Sequence, residues 1–356
     1  MQKIRVGIVG CGEVTQIMHL HSLYQLADRF EVTALCDASA TVVETVGEDW
    51  NIAKRFTDER DLIDQDDVDA VLVASPNHYH AQTTIRACDA GKHVLVEKPM
   101  CMNLREADEV IAARNRADVT VQVAYMRRYA PAFVEACQIV RDMSDIRLAR
   151  VHDVIGQNAL IIAKTSRVVR GKDIPAAVMD AGKAREAALF AEAIGDAPAG
   201  LRLAYGILLG LASHDISAMR ELLGMPNGVL YAAYRHGGLY ITSAMDYGDF
   251  VCHVEIGVDS IPRYDTFLQV YGSHRIVRVQ YNAPYVRNLP TPLRITEVGE
   301  GGRIGESEVN PSWGDNFTLE WEAFYDNVTQ KKTPKTSPED FQQDLELFRD
   351  MVALMR

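Results

Sequence analysis

Along the first third of the chain, short continuous apolar runs alternate with stretches of helical period. Lys3–Val9 (KIRVGIV), Glu31–Cys36 (EVTALC), Asp69–Ala74 (DAVLVA), His93–Val96 and Val119–Ala124 leave neither face polar, as strands buried on both sides do. Between them Val14, Ile17, Met18, Leu23 and Leu26 fall on one helical stripe, and Ala81–Ala90 and Arg105–Ala117 also read as helices. Strand and helix alternating at this pitch predict a doubly wound parallel sheet, an α/β domain over residues 1–125.

From about Arg147 the pattern changes. Arg147–Ile155, Val229–Arg235, Leu239–Tyr247, Phe250–Val258, Phe267–Tyr271, Arg275–Tyr281 and Leu293–Val298 have β character, and Gly237-Gly238 and Gly248-Asp249 supply turns between neighbours. Strand after strand without intervening helices predicts an α+β domain over residues 126–340, with a large, mostly antiparallel sheet. Its open face could carry a partner subunit, so a homodimer or homotetramer is expected. Thr318–Val328 and Phe341–Met355 are helical. Their aromatic and Met stripes (Trp321, Phe324; Leu345, Phe348, Met351) read as core, and residues 341–356 are expected to pack near the domain boundary. Residues 157–213 are less regular: a basic run, Lys164–Lys172, precedes an Ala-rich helical run, Ala176–Ala193. The basic run reads as a solvated loop, with a lid near the site as the other reading.

The chain has 356 residues, enough for two domains, with 47% hydrophobic and 24% charged residues. A net charge of -12 argues against a nucleic-acid partner. No apolar run reaches the length of a membrane span, and the N-terminus passes directly into a strand, so neither a membrane partner nor a signal peptide is expected. The 6 cysteines are scattered without a C-x-x-C pair, which suits a reducing cytoplasm and offers no metal site.

Candidate chemistry gathers where strands end. After the first strand comes Gly10-Cys11-Gly12-Glu13-Val14-Thr15, a dinucleotide loop with Thr15 in place of the third glycine. The first two glycines make the tight turn and let a pyrophosphate approach the helix N-terminus, so the Thr is a mild departure. Asp37 closes the second strand, where an acid accepts ribose hydroxyls and repels a 2′-phosphate. No Arg or Lys follows in Asp37-Ala38-Ser39-Ala40, which favours NAD over NADP. Ser75-Pro76-Asn77 and Glu97-Lys98 end two further strands on the same rim, with His80 shortly after the first.

In the order and spacing of GIVGCG, SPNHYHAQTTIRACDAGKHVLVEKP and VAYMRRYAPAF, the chain resembles the glucose–fructose oxidoreductase / inositol dehydrogenase (Gfo/Idh/MocA) family. The tail, EWEAFYDNV…SPEDFQQDL, adds a weaker match. The resemblance implies a Rossmann domain, a second domain built on an open-faced sheet, and an active site between them. It also implies hydride transfer to or from a hydroxyl or carbonyl of a sugar, sugar acid or cyclitol. Lys98 would lie near the nicotinamide ribose and the reacting oxygen, and Arg127 and Arg128 match a basic pair placed by cofactor and substrate. His214, in Leu208–Gly224, matches the family's site histidine. Many members carry an Asp four residues earlier; here Gly210 stands there. Asp215 points about 100° away from His214 on a helix and cannot replace it. His152 and Asn158 are further substrate-pocket candidates. Two rival readings accompany this one: a redox-neutral lyase or hydrolase with tightly held NAD, and a non-catalytic NAD(P) sensor.

Overall fold

The computed structural model describes residues 3–356. Two compact, discontinuous units emerge: Met1–Tyr125, Ser166–Gly195 and Phe317–Gln343 form one, and Met126–Thr165, Asp196–Asn316 and Asp344–Arg356 the other.

The first unit is built on β1 (Ile4–Val9), β2 (Phe30–Cys36), β3 (Lys54–Phe56), β4 (Ala70–Val73), β5 (His93–Glu97) and β6 (Val121–Ala124), all parallel, in the order β3-β2-β1-β4-β5-β6. The order reverses between β1 and β4, the crevice where such sheets take ligands. A π turn, Thr15–His19, leads into α1 (Leu20–Gln25); α2 (Ala40–Asp49), α3 (Glu59–Ile63), α4 (His80–Asp89) and α5 (Leu104–Ala117) follow. β3 has only three residues, KRF, too few to show periodicity in the sequence.

The second unit begins with α6 (Pro131–Arg141), β7 (Leu148–Gly156) and α7 (Asn158–Thr165). The chain then returns to the first unit for α8 (Ala176–Ile194) and comes back through α9 (Ala199–Ile207), the π turn Leu208–Ala212 and α10 (Ser213–Leu223). Its sheet is completed by β8 (Gly228–Arg235), β9 (Tyr240–Asp246), β10 (Val251–Asp259), β11 (Tyr264–Tyr271), β12 (Arg275–Tyr281), β13 (Leu293–Val298) and β14 (Ile304–Val309). The order is β14-β13-β12-β11-β7-β10-β9-β8, and every pair is antiparallel except β7 with β10. β14 is exposed along its whole length (IGESEV), which is why no buried-face pattern announced it.

Two helices complete the chain, α11 (Asn316–Thr329) and α12 (Pro338–Met355). The aromatic stripe of α11 is core, but core of the first unit. Trp321 and Phe324 are fully buried in the cluster formed by Ile8, Phe30, Leu35 and Leu72. Trp321 meets Phe30 edge-on at 5.1 Å between ring centroids. The sequence suggests consecutive ranges, 1–125, 126–340 and 341–356. The units instead interleave, because residues 166–195 and 317–343 make their contacts within the first unit, and α12 runs through the boundary at Gln343. No helix among the described residues is long and apolar enough to cross a membrane.

Candidate functional site

The glycine loop owes its shape to one close approach. Gly10 has φ +99°, and a Cβ there would lie 2.2 Å from the Ala74 carbonyl oxygen at the end of β4. Only glycine can bring the ends of β1 and β4 this near. Gly12 is different: a Cβ would meet nothing within 4 Å, so the loop is open on that side. Thr15, in place of the third glycine, donates its hydroxyl to the Gly10 carbonyl at 2.6 Å and tightens the entry into the helix. A turn closed from below, open above and followed by helical N–H groups fits a dinucleotide pyrophosphate. Gly10→Ala is therefore expected to abolish NAD binding while the chain still folds, measured by calorimetric titration beside circular dichroism; unchanged affinity would remove the loop from the site.

Asp37 does more than the sequence suggests. One carboxylate oxygen accepts the Cys11 N–H and the other the Ser39 N–H, both at 2.9 Å, so it ties the glycine loop to the start of α2. The basic run, expected to be a solvated loop, lies against this loop. Val169 exchanges both backbone hydrogen bonds with the Gln16 amide, at 2.8 and 2.9 Å, and Arg170 pairs with Glu13. Nothing in the run's charge pattern distinguishes it from a solvated segment. The signal lies in Val168-Val169, two apolar residues among the cations.

Ser75, Pro76 and Asn77 follow β4, with Pro76 leading into a short turn, Asn77–Tyr79. His80, expected to face cofactor, is fully buried below this rim. Its ring nitrogens lie 2.8 Å from the Pro99 carbonyl oxygen and 2.6 Å from that of Ser75, so it staples the two strand ends together. Burial lowers its pKa, which the two carbonyls and Glu97 oppose.

Lys98 follows β5, and the Lys98–Pro99 peptide is cis. The side chain that prepares its surroundings is Glu97. Trp321 donates its indole N–H to His19 Nδ1 at 3.0 Å; an indole can only donate, so the His19 proton sits on Nε2, 2.9 Å from Glu97 Oε1. The other Glu97 oxygen accepts the Lys98 backbone N–H at 3.1 Å. Burial works to raise the Glu97 pKa, but the His19 N–H and the Lys98 charge prevail and hold it below the usual range. An ionised Glu97 thus stands beside Lys98, oriented by a Trp that the sequence marks only as core. His19 carried no sequence signal, being one polar residue on an apolar helix face.

In the second unit Arg127 and Arg128 are paired with carboxylates. Arg127 Nη1 donates to Asp153 on β7 at 2.9 Å and to Asp215 on α10 at 2.7 Å, and its guanidinium lies 5.3 Å from the centre of the Tyr281 ring. Thr266 donates to the other Asp153 oxygen at 2.6 Å. Burial pushes the Asp215 carboxyl well above the usual range; Arg127 opposes the shift, and neighbouring Asp153 adds to it. Arg128 donates to Glu221 at 2.6 Å. The basic pair expected beside cofactor and substrate is thus held by carboxylates of its own unit, because a buried guanidinium requires a counter-charge.

His214 is buried on α10, next to Asp215. The Gly210 gap lies in the π turn before it, where a Cβ would meet nothing within 4 Å. Asn158 opens α7 and accepts the Tyr264 hydroxyl. His152 lies elsewhere: along β7 side chains alternate, so Asp153 faces Arg127 and His152 the opposite side of the sheet. There its Nδ1 donates to the Glu255 carboxylate at 2.7 Å, and its ring stacks on Phe267 at 5.0 Å. The structure therefore separates His152 from the Arg127 cluster. Asp153 and Tyr264 went unnoticed because alternation along a strand marks burial, not which buried polar residue meets which.

Residues 4–125 match a family model described as an oxidoreductase family with an NAD-binding Rossmann fold, GFO_IDH_MocA. Over residues 4–125 the chain carries the NAD-binding Rossmann fold of the Gfo/Idh/MocA oxidoreductases. Inositol 2-dehydrogenase of Salmonella typhimurium is 32% identical over 139 residues, 38% of this chain and 41% of that protein. The uncharacterised oxidoreductase YrbE of Bacillus subtilis is 31% identical over 141 residues, 40% of this chain and 41% of YrbE. The chain thus matches about two-fifths of the length of these curated relatives. Across 99% of this chain and 97% of the other, the fold is that of a levoglucosan dehydrogenase solved with NADH and levoglucosan, at a TM-score of 0.76 and 17% identity. KijD10, a 3-ketoreductase from Actinomadura kijaniata solved with NADP and TDP-benzene, gives a TM-score of 0.74 at 19% identity, covering 100% of this chain and 97% of the other.

Proposed function

We propose that this protein is an NAD-dependent oxidoreductase that transfers hydride between nicotinamide and a hydroxyl or carbonyl of a sugar, sugar acid or cyclitol. The observation that carries the reading is Lys98 beside an ionised, fully hydrogen-bonded Glu97, on the strand-end rim that holds the Gly10–Gly12 cradle. NAD, when bound, supplies the hydride acceptor. Gly10, Gly12, Glu13, Val14, Asp37, Ser75, Pro76 and Asn77 are the residues proposed to hold it. The Lys98 ammonium stabilises negative charge developing on the substrate oxygen. His214 takes the hydroxyl proton, a task suited to an imidazole base. Asn158 is a further substrate contact in this reading. The relatives named for inositol and levoglucosan support the substrate class.

A panel of polyols, sugar acids and cyclitols with NAD tests it, read as growth of reduced-nicotinamide absorbance; a panel without turnover in either direction would overturn it. The Val169–Gln16 clasp over the glycine loop favours a second reading, redox-neutral catalysis on tightly held NAD. Net NADH accumulation in a single-turnover assay contradicts that cycle. The protein is further proposed to work in the cytoplasm, where six free and buried thiols are at home. It is also proposed to assemble as a homodimer or homotetramer through the open face of its large sheet, which light scattering after gel filtration would test.

A further inference from the structure

The start of α2 is where a dinucleotide fold places the adenosine ribose, just beyond the acid that ends β2. The helix carries the usual unsatisfied N–H groups of a first turn, capped by Ser39, whose hydroxyl oxygen accepts from Val42 at 3.1 Å. What fills the remaining positions comes from far along the chain. Asp173 accepts the Thr41 N–H at 2.9 Å with one carboxylate oxygen and the Ser39 hydroxyl with the other.

A hydroxyl, a first-turn N–H and the positive end of a helix are the donor set that binds a phosphate. The approach is enforced by the backbone. Gly171 lies so near Ser39 that a Cβ would come within 1.9 Å of its hydroxyl oxygen. Three anchors in sequence hold the strap: Val169 on Gln16, Arg170 on Glu13, and Asp173 on Ser39 and Thr41.

We propose that Asp173 is a specificity-determining residue: its carboxylate fills the anion seat at the start of α2 and excludes dinucleotides that carry a 2′-phosphate. The proposal rests on the dinucleotide-binding reading above and deepens it. Asp37 is held in place by two backbone N–H groups, and Asp173 is a second acid, set on the helix start itself, that an incoming 2′-phosphate would confront. The Ser39 hydroxyl and Thr41 N–H push the Asp173 pKa down to about 2, so the seat is filled by an anion at every pH near neutrality.

The test is calorimetric titration of the full chain with NAD+ and NADP+. For Asp173→Ala the ratio of NADP+ to NAD+ affinity is expected to rise at least tenfold over the unsubstituted chain. Asp173→Asn keeps an acceptor for Thr41 and loses the charge, so a smaller rise in the same direction is expected. Because Asp173 is exposed on the strap, both variants should give unchanged circular dichroism. A ratio unchanged within twofold in the folded Asp173→Ala chain overturns the proposal and leaves the dinucleotide reading standing. An unsubstituted chain that binds neither dinucleotide overturns both.

Discussion

Lys98→Ala is expected to lower kcat/KM by about 10²–10³-fold, the loss seen when one pre-positioned donor to a developing oxyanion is removed. The expectation depends on Glu97 more than on Lys98's place in the sequence. Glu97 is buried and ionised, and its two oxygens are taken by His19 and by the Lys98 backbone N–H. That arrangement sets a negative charge beside the ammonium. The glycine loop and Asp37 are untouched by the substitution, so NAD affinity should change by no more than a few-fold. Steady-state kinetics beside NAD titration separate the two quantities. Near-normal turnover in Lys98→Ala would remove Lys98 from the chemistry, and lost NAD affinity would make it a cofactor anchor.

Arg127→Leu is expected to destabilise the second unit by about 3–5 kcal/mol, the cost of leaving buried charge without its partner. Arg127 is the common donor to Asp153 and Asp215, both fully buried, and leucine offers neither a hydrogen bond. Urea unfolding followed by circular dichroism measures the loss, and a change below about 1 kcal/mol would contradict a structural role for the cluster. The pH dependence has a definite sign. Burial holds the folded-state pKa of Asp215 well above its unfolded value. Its contribution is therefore complete below the usual carboxylate range and is lost as pH rises toward the raised value. Low activity at full stability in Arg127→Leu would instead support the ligand-binding role that its resemblance to the family's basic pair implies.

Much of the first unit was legible because its signals are local. A buried parallel strand is a mostly apolar run, and β1, β2, β4, β5 and β6 each are. The glycine at Gly10 is demanded by a turn whose neighbours in the sequence are part of the same motif. Strands β7 to β13 were legible for a similar reason, since alternation and Gly turns act over a few residues. β3 and β14 escaped, one too short for any period and the other exposed on both faces.

The chain alone determined that a dinucleotide fold comes first, that a mostly antiparallel sheet follows, and that Gly10, Gly12, Asp37 and Lys98 stand at strand ends. These follow from backbone sterics and from burial of apolar runs, both read within a dozen residues. Tertiary structure alone decided the partners of the polar groups. It brought Trp321 to His19, Asp173 to Ser39, and Asp153 and Asp215 together on Arg127, pairs separated by 302, 134, 26 and 88 residues. A buried charge or N–H must find a partner, but nothing in its neighbourhood in the sequence says which. The strap shows the consequence. The sequence offers a basic, solvated loop, and folding turns the acid that follows it, Asp173, onto the start of α2.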